Sequence, residues 1–175
     1  MSASLAETGA AAPRWQDLAR RAAERRSAEV ESVVVRQLLT FVLDASPYAV
    51  PVERVREIVR VRPITPVPRV PNDVCGVISL RGEILEVIDL RLRLRLRAAQ
   101  SGRASRIIVA HSADGGVAGL LVDGVSEVLA VPENALRPAA ATEAGNVETL
   151  CVRGDRFISL IDLDRVLGFD AQRQS

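Results

Sequence analysis

Two apolar periodicities divide the chain. Over residues 14–31, Trp15, Leu18, Ala19, Ala22 and Ala23 recur at three- and four-residue spacing with no Gly or Pro between them, which predicts an amphipathic helix. Arg20, Arg21, Glu24, Arg25 and Glu29 cover its other face, and Asp17 and Arg21 are spaced for an i,i+4 contact. That charged face reads either as a solvated surface or as a docking element. Before it, the small residues leading to Pro13 predict no regular structure. From residue 33 the pattern shortens to strands. Residues 33–44 are β-branched and apolar and end at the turn signal Ser46-Pro47; residues 48–52 form a second short strand, and Val55, Ile58 and Val59 mark a third apolar segment. Pro63, Pro66, Pro68 and Pro71 then exclude both helix and central strand, so this stretch is expected to be an extended surface connection. Residues 76–80 and 83–90 predict a hairpin turning at Arg81-Gly82. Residues 106–111 and 117–122 flank the turn Asp114-Gly115-Gly116, and residues 157–161 give one more strand.

The strands repeat. Leu38-Leu39-Thr40-Phe41-Val42 corresponds to Ile107-Ile108-Val109-Ala110-His111 at an offset of 69, and Val55-Arg56-Glu57-Ile58 to Val125-Ser126-Glu127-Val128 at 70. Arg81-Gly82 corresponds to Arg153-Gly154 at 72, and Ile88-Asp89-Leu90 to Ile161-Asp162-Leu163 at 73. Aliphatic strands match one another by chance, but Glu, Arg-Gly and Asp-Leu are not generic strand residues. A duplicated unit of about 70 residues follows, each copy carrying the short strands and turns of a small barrel. The expected organisation is a tail and amphipathic helix over residues 1–36, then a β domain over 37–175 made of two intertwined barrels, with the repeat boundary near 100–105.

Composition narrows the function. The 175 residues carry 23 basic side chains, all Arg, against 22 acidic ones, and only 3% are aromatic, so the core is aliphatic. No apolar run approaches the ~20 residues that span a bilayer, and the N-terminus lacks the basic-then-apolar pattern of a secretory signal. Cys75 and Cys151 stand apart in apolar surroundings, as expected of reduced thiols in a cytoplasmic protein. With His111 they make three soft ligands in the whole chain, too few for a tetrahedral zinc site, and a lone His without a nucleophile nearby gives no triad. Neither a cofactor nor an enzymatic activity is expected. Balanced charge also argues against nucleic acid.

Two features carry candidate chemistry. The run Arg91-Leu92-Arg93-Leu94-Arg95-Leu96-Arg97 reads as a strand extension or short helix with its arginines in water. Its alternative is a binding surface for an acidic protein or, if the double barrel binds nucleic acid, for phosphates, although no aromatic stacking partners lie near it. Arg81 differs, because a hairpin tip on a barrel presents it rigidly, and Glu57 of the same repeat is available to pair with it. It is either a structural turn residue or a recognition residue.

These residues also carry a family resemblance. Gly76-Val77-Ile78-Ser79-Leu80-Arg81-Gly82 and Val87-Ile88-Asp89-Leu90-Arg91 resemble the GVxNLRG and DLR core of the CheW domain, with Ser79 in place of the usual Asn. Tyr48-Ala49-Val50-Pro51-Val52, Val55-Arg56-Glu57-Ile58 and Gly119-Leu120-Leu121-Val122-Asp123-Gly124-Val125-Ser126-Glu127-Val128-Leu129 agree with the same family, and the match runs from about Gln37 to Gly168. The resemblance implies a mainly β fold of two pseudo-symmetric five-stranded SH3-like barrels sharing an aliphatic core, beside the N-terminal helix. It implies a non-enzymatic scaffold of bacterial chemotaxis arrays, cytoplasmic and without membrane insertion, that couples the tips of methyl-accepting chemoreceptors to the regulatory domain of the histidine kinase CheA. It places Arg81 and Glu57, and with less weight Val55, on the receptor-binding surface, and kinase contacts at the ends of both barrels. Asn tolerates a left-handed backbone better than Ser, so Ser79 raises the question of whether the hairpin tip keeps its geometry.

Overall fold

The computed structural model describes residues 15, 19–21, 34–138, 145–153 and 156–168. The chain divides into two units, Met1–Val34 and Val35–Ser175. In the first, Trp15 and residues 19–21 are helical and exposed; the rest of the helix expected over residues 14–31 lies outside the described residues.

The second unit contains eleven described strands: β1 (Val35–Leu43), β2 (Ser46–Pro51), β3 (Val55–Arg60), β4 (Val74–Leu80), β5 (Glu83–Asp89), β6 (Arg106–His111), β7 (Val117–Val122), β8 (Gly124–Pro132), β9 (Leu136–Pro138), β10 (Val147–Arg153) and β11 (Arg156–Ile161). They form a six-stranded sheet ordered β8-β1-β2-β11-β10-β9 and a five-stranded sheet ordered β3-β6-β7-β5-β4. The fold is mainly β, and the two sheets interlace. β1 and β2 leave β3, β4 and β5 to join the strands from the C-terminal half, while β6 and β7 insert between β3 and β5. The matched segments occupy matching places. β6 stands in the five-stranded sheet as β1 stands in the six-stranded one, and β3 and β8 are edge strands beside them.

Interlacing buries the central strands on both faces, which is why they read as continuous aliphatic runs and not as alternation. In β1, Leu38 points into a cluster with Ala49, Leu129, Val131, Cys151, Ile158 and Leu160, enclosed by the six-stranded sheet. In β6, Ile107 and Val109 join Ile78, Leu80, Leu85 and Val87 inside the five-stranded sheet. The opposite faces meet. Leu39, Phe41, Leu43 and Val50 pack with Ile88, Ile108, Ala110, Leu120 and Ile161 in a third cluster drawn from both sheets. Each barrel therefore has a small core of its own and a larger shared one. Phe41 stacks on Tyr48 there at a ring-centroid distance of 6.1 Å. Where the β1–β8 register shifts between Leu39 and Phe41, the buried Thr40 hydroxyl restores the broken ladder: it donates to the Glu127 carbonyl at 2.8 Å and accepts from the Glu127 amide at 3.1 Å.

The repeated Asp residues stop their strands in the same way. Asp89 accepts hydrogen bonds from the Arg91 and Leu92 amides and starts the helical turn Leu90–Arg93. Asp162 accepts from the Arg165 amide and starts the turn Leu163–Leu167. The sequence signal at Ser46-Pro47 lies two residues late. The β1–β2 turn is made by Asp44 and Ala45, both with positive φ (50° and 64°), and Pro47 is already paired with Val42 near the start of β2, where a strand accepts proline. The proline-rich stretch is an irregular connection, turning at residues 68–69, where Arg69 is left-handed (φ 62°), and its one backbone bridge to the sheet is Thr65 to Val77.

Candidate recognition surface at the mouth of the five-stranded barrel

The tip of the β4–β5 hairpin follows from its two central residues. Leu80 pairs with Glu83, leaving Arg81 (φ 51°) and Gly82 (φ 88°) as a two-residue loop with both residues left-handed. Such turns match the twist of the flanking strands, and they hold a side chain in a fixed direction. Ser79 is not part of the turn. It is a strand residue opposite Ile84, and its carbonyl accepts from Arg62 Nη1 at 3.1 Å, so the left-handed tolerance of Asn is irrelevant at this position.

Among the described residues, β3 and β4 are the two edges of the five-stranded sheet and no ladder joins them. Side chains cross the gap. Arg81 Nη2 donates to Glu57 Oε2 at 3.2 Å, with Arg81 79% exposed and Glu57 27%. Arg56 Nη1 approaches Glu83 Oε2 at 3.5 Å, both well exposed. Between the pairs opens a groove of about 290 Å³ lined by Arg56, Glu57, Leu80, Arg81, Glu83, Leu85 and Val109. Arg81 and Glu57 are thus brought together. Val55 is not among the lining residues; it is half-buried and packs against the shared cluster. Arg56 and Glu83 escaped the sequence reading because nothing in the repeat marks them. Their signal was positional, one residue from Glu57 on β3 and two from Arg81 across the turn.

The basic run is divided, contrary to the expectation of solvated arginines. Arg91 is only 12% exposed and grips Asp123 with two donors, Nε to Oδ1 at 2.7 Å and Nη2 to Oδ2; Asp44 lies 3.5 Å from its Nη1. Arg93 Nε lies 2.7 Å from Asp73. Arg95 and Arg97 are the exposed members. The helical turn capped by Asp89 causes the split, because Arg91 and Arg93 lie within it and reach carboxylates of other segments, whereas Arg95 and Arg97 follow it. Arg91 thereby ties the end of β5 to the β7–β8 junction and the β1–β2 turn, clasping the two sheets. Burial pushes the Asp123 carboxyl up, but the bonds from Arg91 and the Asp44 amide outweigh it and its pKa falls below the ordinary value. Elsewhere, the Ala113 amide, then Arg54, hold Asp164 low, fastening the last helical turn to the β6–β7 loop. Among the described residues no group of three or more His, Cys, Asp or Glu is placed to hold a metal, and no helix is long and apolar enough to cross a membrane.

Known proteins share this arrangement. Residues 37–171 match the CheW-like domain. The chemotaxis protein CheW of Rhizobium meliloti is 38% identical over 136 residues, covering 75% of this chain and 86% of that protein. CheW of Helicobacter pylori is 28% identical, covering 82% and 88%. The crystal structure of the scaffolding protein TtCheW from Thermoanaerobacter tengcongensis superposes with a TM-score of 0.73 at 31% identity, over 79% of this chain and 95% of that one. An interlaced pair of barrels with an Arg-Gly hairpin tip and a match of this extent lead to one conclusion: the chain belongs to the CheW-like family.

Proposed function

We propose that this protein is a non-enzymatic adaptor that couples methyl-accepting chemoreceptors to the histidine kinase CheA in a cytoplasmic, receptor-associated array. Its chemotaxis-protein relatives and the scaffolding protein it resembles support that reading. The observation that carries the receptor half is Arg81. Its guanidinium spends one donor on Glu57 and leaves the rest of its fork open on a rigid turn, ready for a carboxylate or a carbonyl of a receptor helix. Glu57, largely withdrawn from solvent, orients it, whereas Val55, half-buried against the shared cluster, is kept on this surface only by the family resemblance. The kinase half is assigned to the barrel ends, where apolar side chains stand exposed: Ile84 beside the first hairpin tip, and the cross-strand pair Val152 and Phe157 beside the second. Two partners on separate small patches need only modest affinity each, since an array supplies avidity.

Arg81→Glu should abolish co-sedimentation with a receptor signalling domain while the far-ultraviolet circular dichroism stays that of wild type. Undiminished binding would overturn the receptor assignment. The nucleic-acid alternative has lost part of its surface, because Arg91 and Arg93 are committed to internal carboxylates.

A further inference from the structure

A second ion pair crosses the seam of the five-stranded barrel beside the proposed receptor contact. Each side of the seam offers one cation and one anion: Arg56 and Glu57 on β3, Arg81 and Glu83 around Gly82. The two pairs differ in kind. Glu57 is largely covered and holds Arg81 at 3.2 Å, whereas Arg56 and Glu83 are 47% and 61% exposed and meet at 3.5 Å, the limit of a hydrogen bond. An exposed pair of that geometry contributes little to stability and parts readily. Yet it stands on the rim of a groove walled by Leu80, Leu85 and Val109, and any side chain entering there displaces or meets its charges.

We infer that Arg56 and Glu83 are specificity-determining residues of this surface. They admit a partner helix that sets an apolar side chain in the groove between an acidic and a basic residue of its own, the acid exchanging onto Arg56 and the base onto Glu83. A helix presenting the reverse order leaves like charges facing one another and is rejected. The inference rests on the reading that the Arg81 face binds a receptor helix.

The test is an exchange of the pair, Arg56→Glu with Glu83→Arg. The exchange preserves net charge, the internal attraction and the exposed surface, so a merely structural pair is satisfied by it. Binding to a receptor signalling domain should weaken about five-fold or more at low salt, with the deficit shrinking as salt screens it, and the thermal midpoint should not move. The neutral variant Arg56→Gln with Glu83→Gln guards against a misfolded exchange, and it should flatten the salt dependence of binding. Wild-type affinity in the exchanged protein, or an unchanged salt dependence in the neutral one, overturns the inference. Arg81→Glu in the same assay separates the two claims. If it binds like wild type, the receptor face itself is wrong; if it loses binding while the exchange does not, only the specificity role falls.

Discussion

The two barrels share a plan and close their seams differently. In the six-stranded sheet the segment after β8 returns as β9, which pairs with β10 through Thr149–Pro138, Leu150–Arg137 and Cys151–Leu136. In the five-stranded sheet the corresponding segment is rich in proline. It can donate few backbone hydrogen bonds, so the ladder shrinks to the single bridge Thr65–Val77, with both amides bonded at 2.8 Å. One barrel carries a three-pair strand ladder at this place, the other one backbone bridge, the Arg62 bond to the Ser79 carbonyl and two side-chain ion pairs. The weaker closure is where the groove lies. A barrel mouth held by exposed charges can exchange them with a partner, whereas a ladder cannot without unfolding an edge.

The strongest way to break this comparison is Gly76→Ala. Gly76 sits at φ 135°, and a Cβ there would lie 2.1 Å from the Thr65 carbonyl oxygen. Strained backbone and a clash with main chain add, so the variant should lose about 2–5 kcal/mol of stability in urea denaturation. In the other seam Leu136→Ala removes a half-buried side chain but leaves three backbone pairs, and should cost about 1–2 kcal/mol. Equal losses would mean that the seams do not differ in the way described.

Next in size is the clasp between the sheets. Asp123→Asn leaves the Arg91 guanidinium with a neutral acceptor and should cost about 1–3 kcal/mol at neutral pH. The pH dependence gives a sharper signature. Because the folded pKa of Asp123 lies below its unfolded value near 3.9, its stabilisation is present above about pH 4 and is lost as pH falls through the folded pKa. Wild-type stability should therefore drop more steeply with acid than that of the Asn variant. Parallel acid limbs would show that the bridge contributes nothing beyond neutral packing.

The two barrel ends differ as well. Phe157→Asp replaces a 61%-exposed aromatic ring and should weaken kinase-domain binding by about ten-fold while receptor binding and thermal midpoint stay put. If receptor binding falls with it, the two partner surfaces are not separate.

What the sequence disclosed follows from how local each feature is. β1, β6 and β7 were legible because burial on both faces makes them unbroken aliphatic runs. β8 was not read as a strand: its exposed Ser126, Glu127 and Val128 interrupt the pattern along an edge, and only Leu129 and Val131 are buried. β9 has three residues, too few for any periodicity. Arg81 and Glu57 could be paired in advance because the duplication singled them out. The partners of Arg91 and Arg93 could not, because Asp44, Asp73 and Asp123 come from separate loops that only the interlacing brings to one place. The repeat announced itself in sequence, whereas the exchange of β1 and β2 for β6 and β7 is a property of the fold alone.

The smallest effect separates turn from recognition. Among the described residues, two hairpins with left-handed two-residue loops place a residue with a Cβ where glycine or Asn is preferred: Ala45 in the β1–β2 turn and Arg81 in the β4–β5 turn. At Ala45 the side chain does nothing that offsets the strain, so Ala45→Gly should raise stability by about 0.5–1 kcal/mol. At Arg81 the same relief applies, and Arg81→Gly should be neutral or slightly stabilising, since its exposed ion pair with Glu57 contributes little. If it is, the residue persists at a strained position without a stabilising role, as expected of one kept for what it binds. A clear loss of stability in Arg81→Gly, measured beside the gain in Ala45→Gly, would instead make Arg81 a structural closure of the seam.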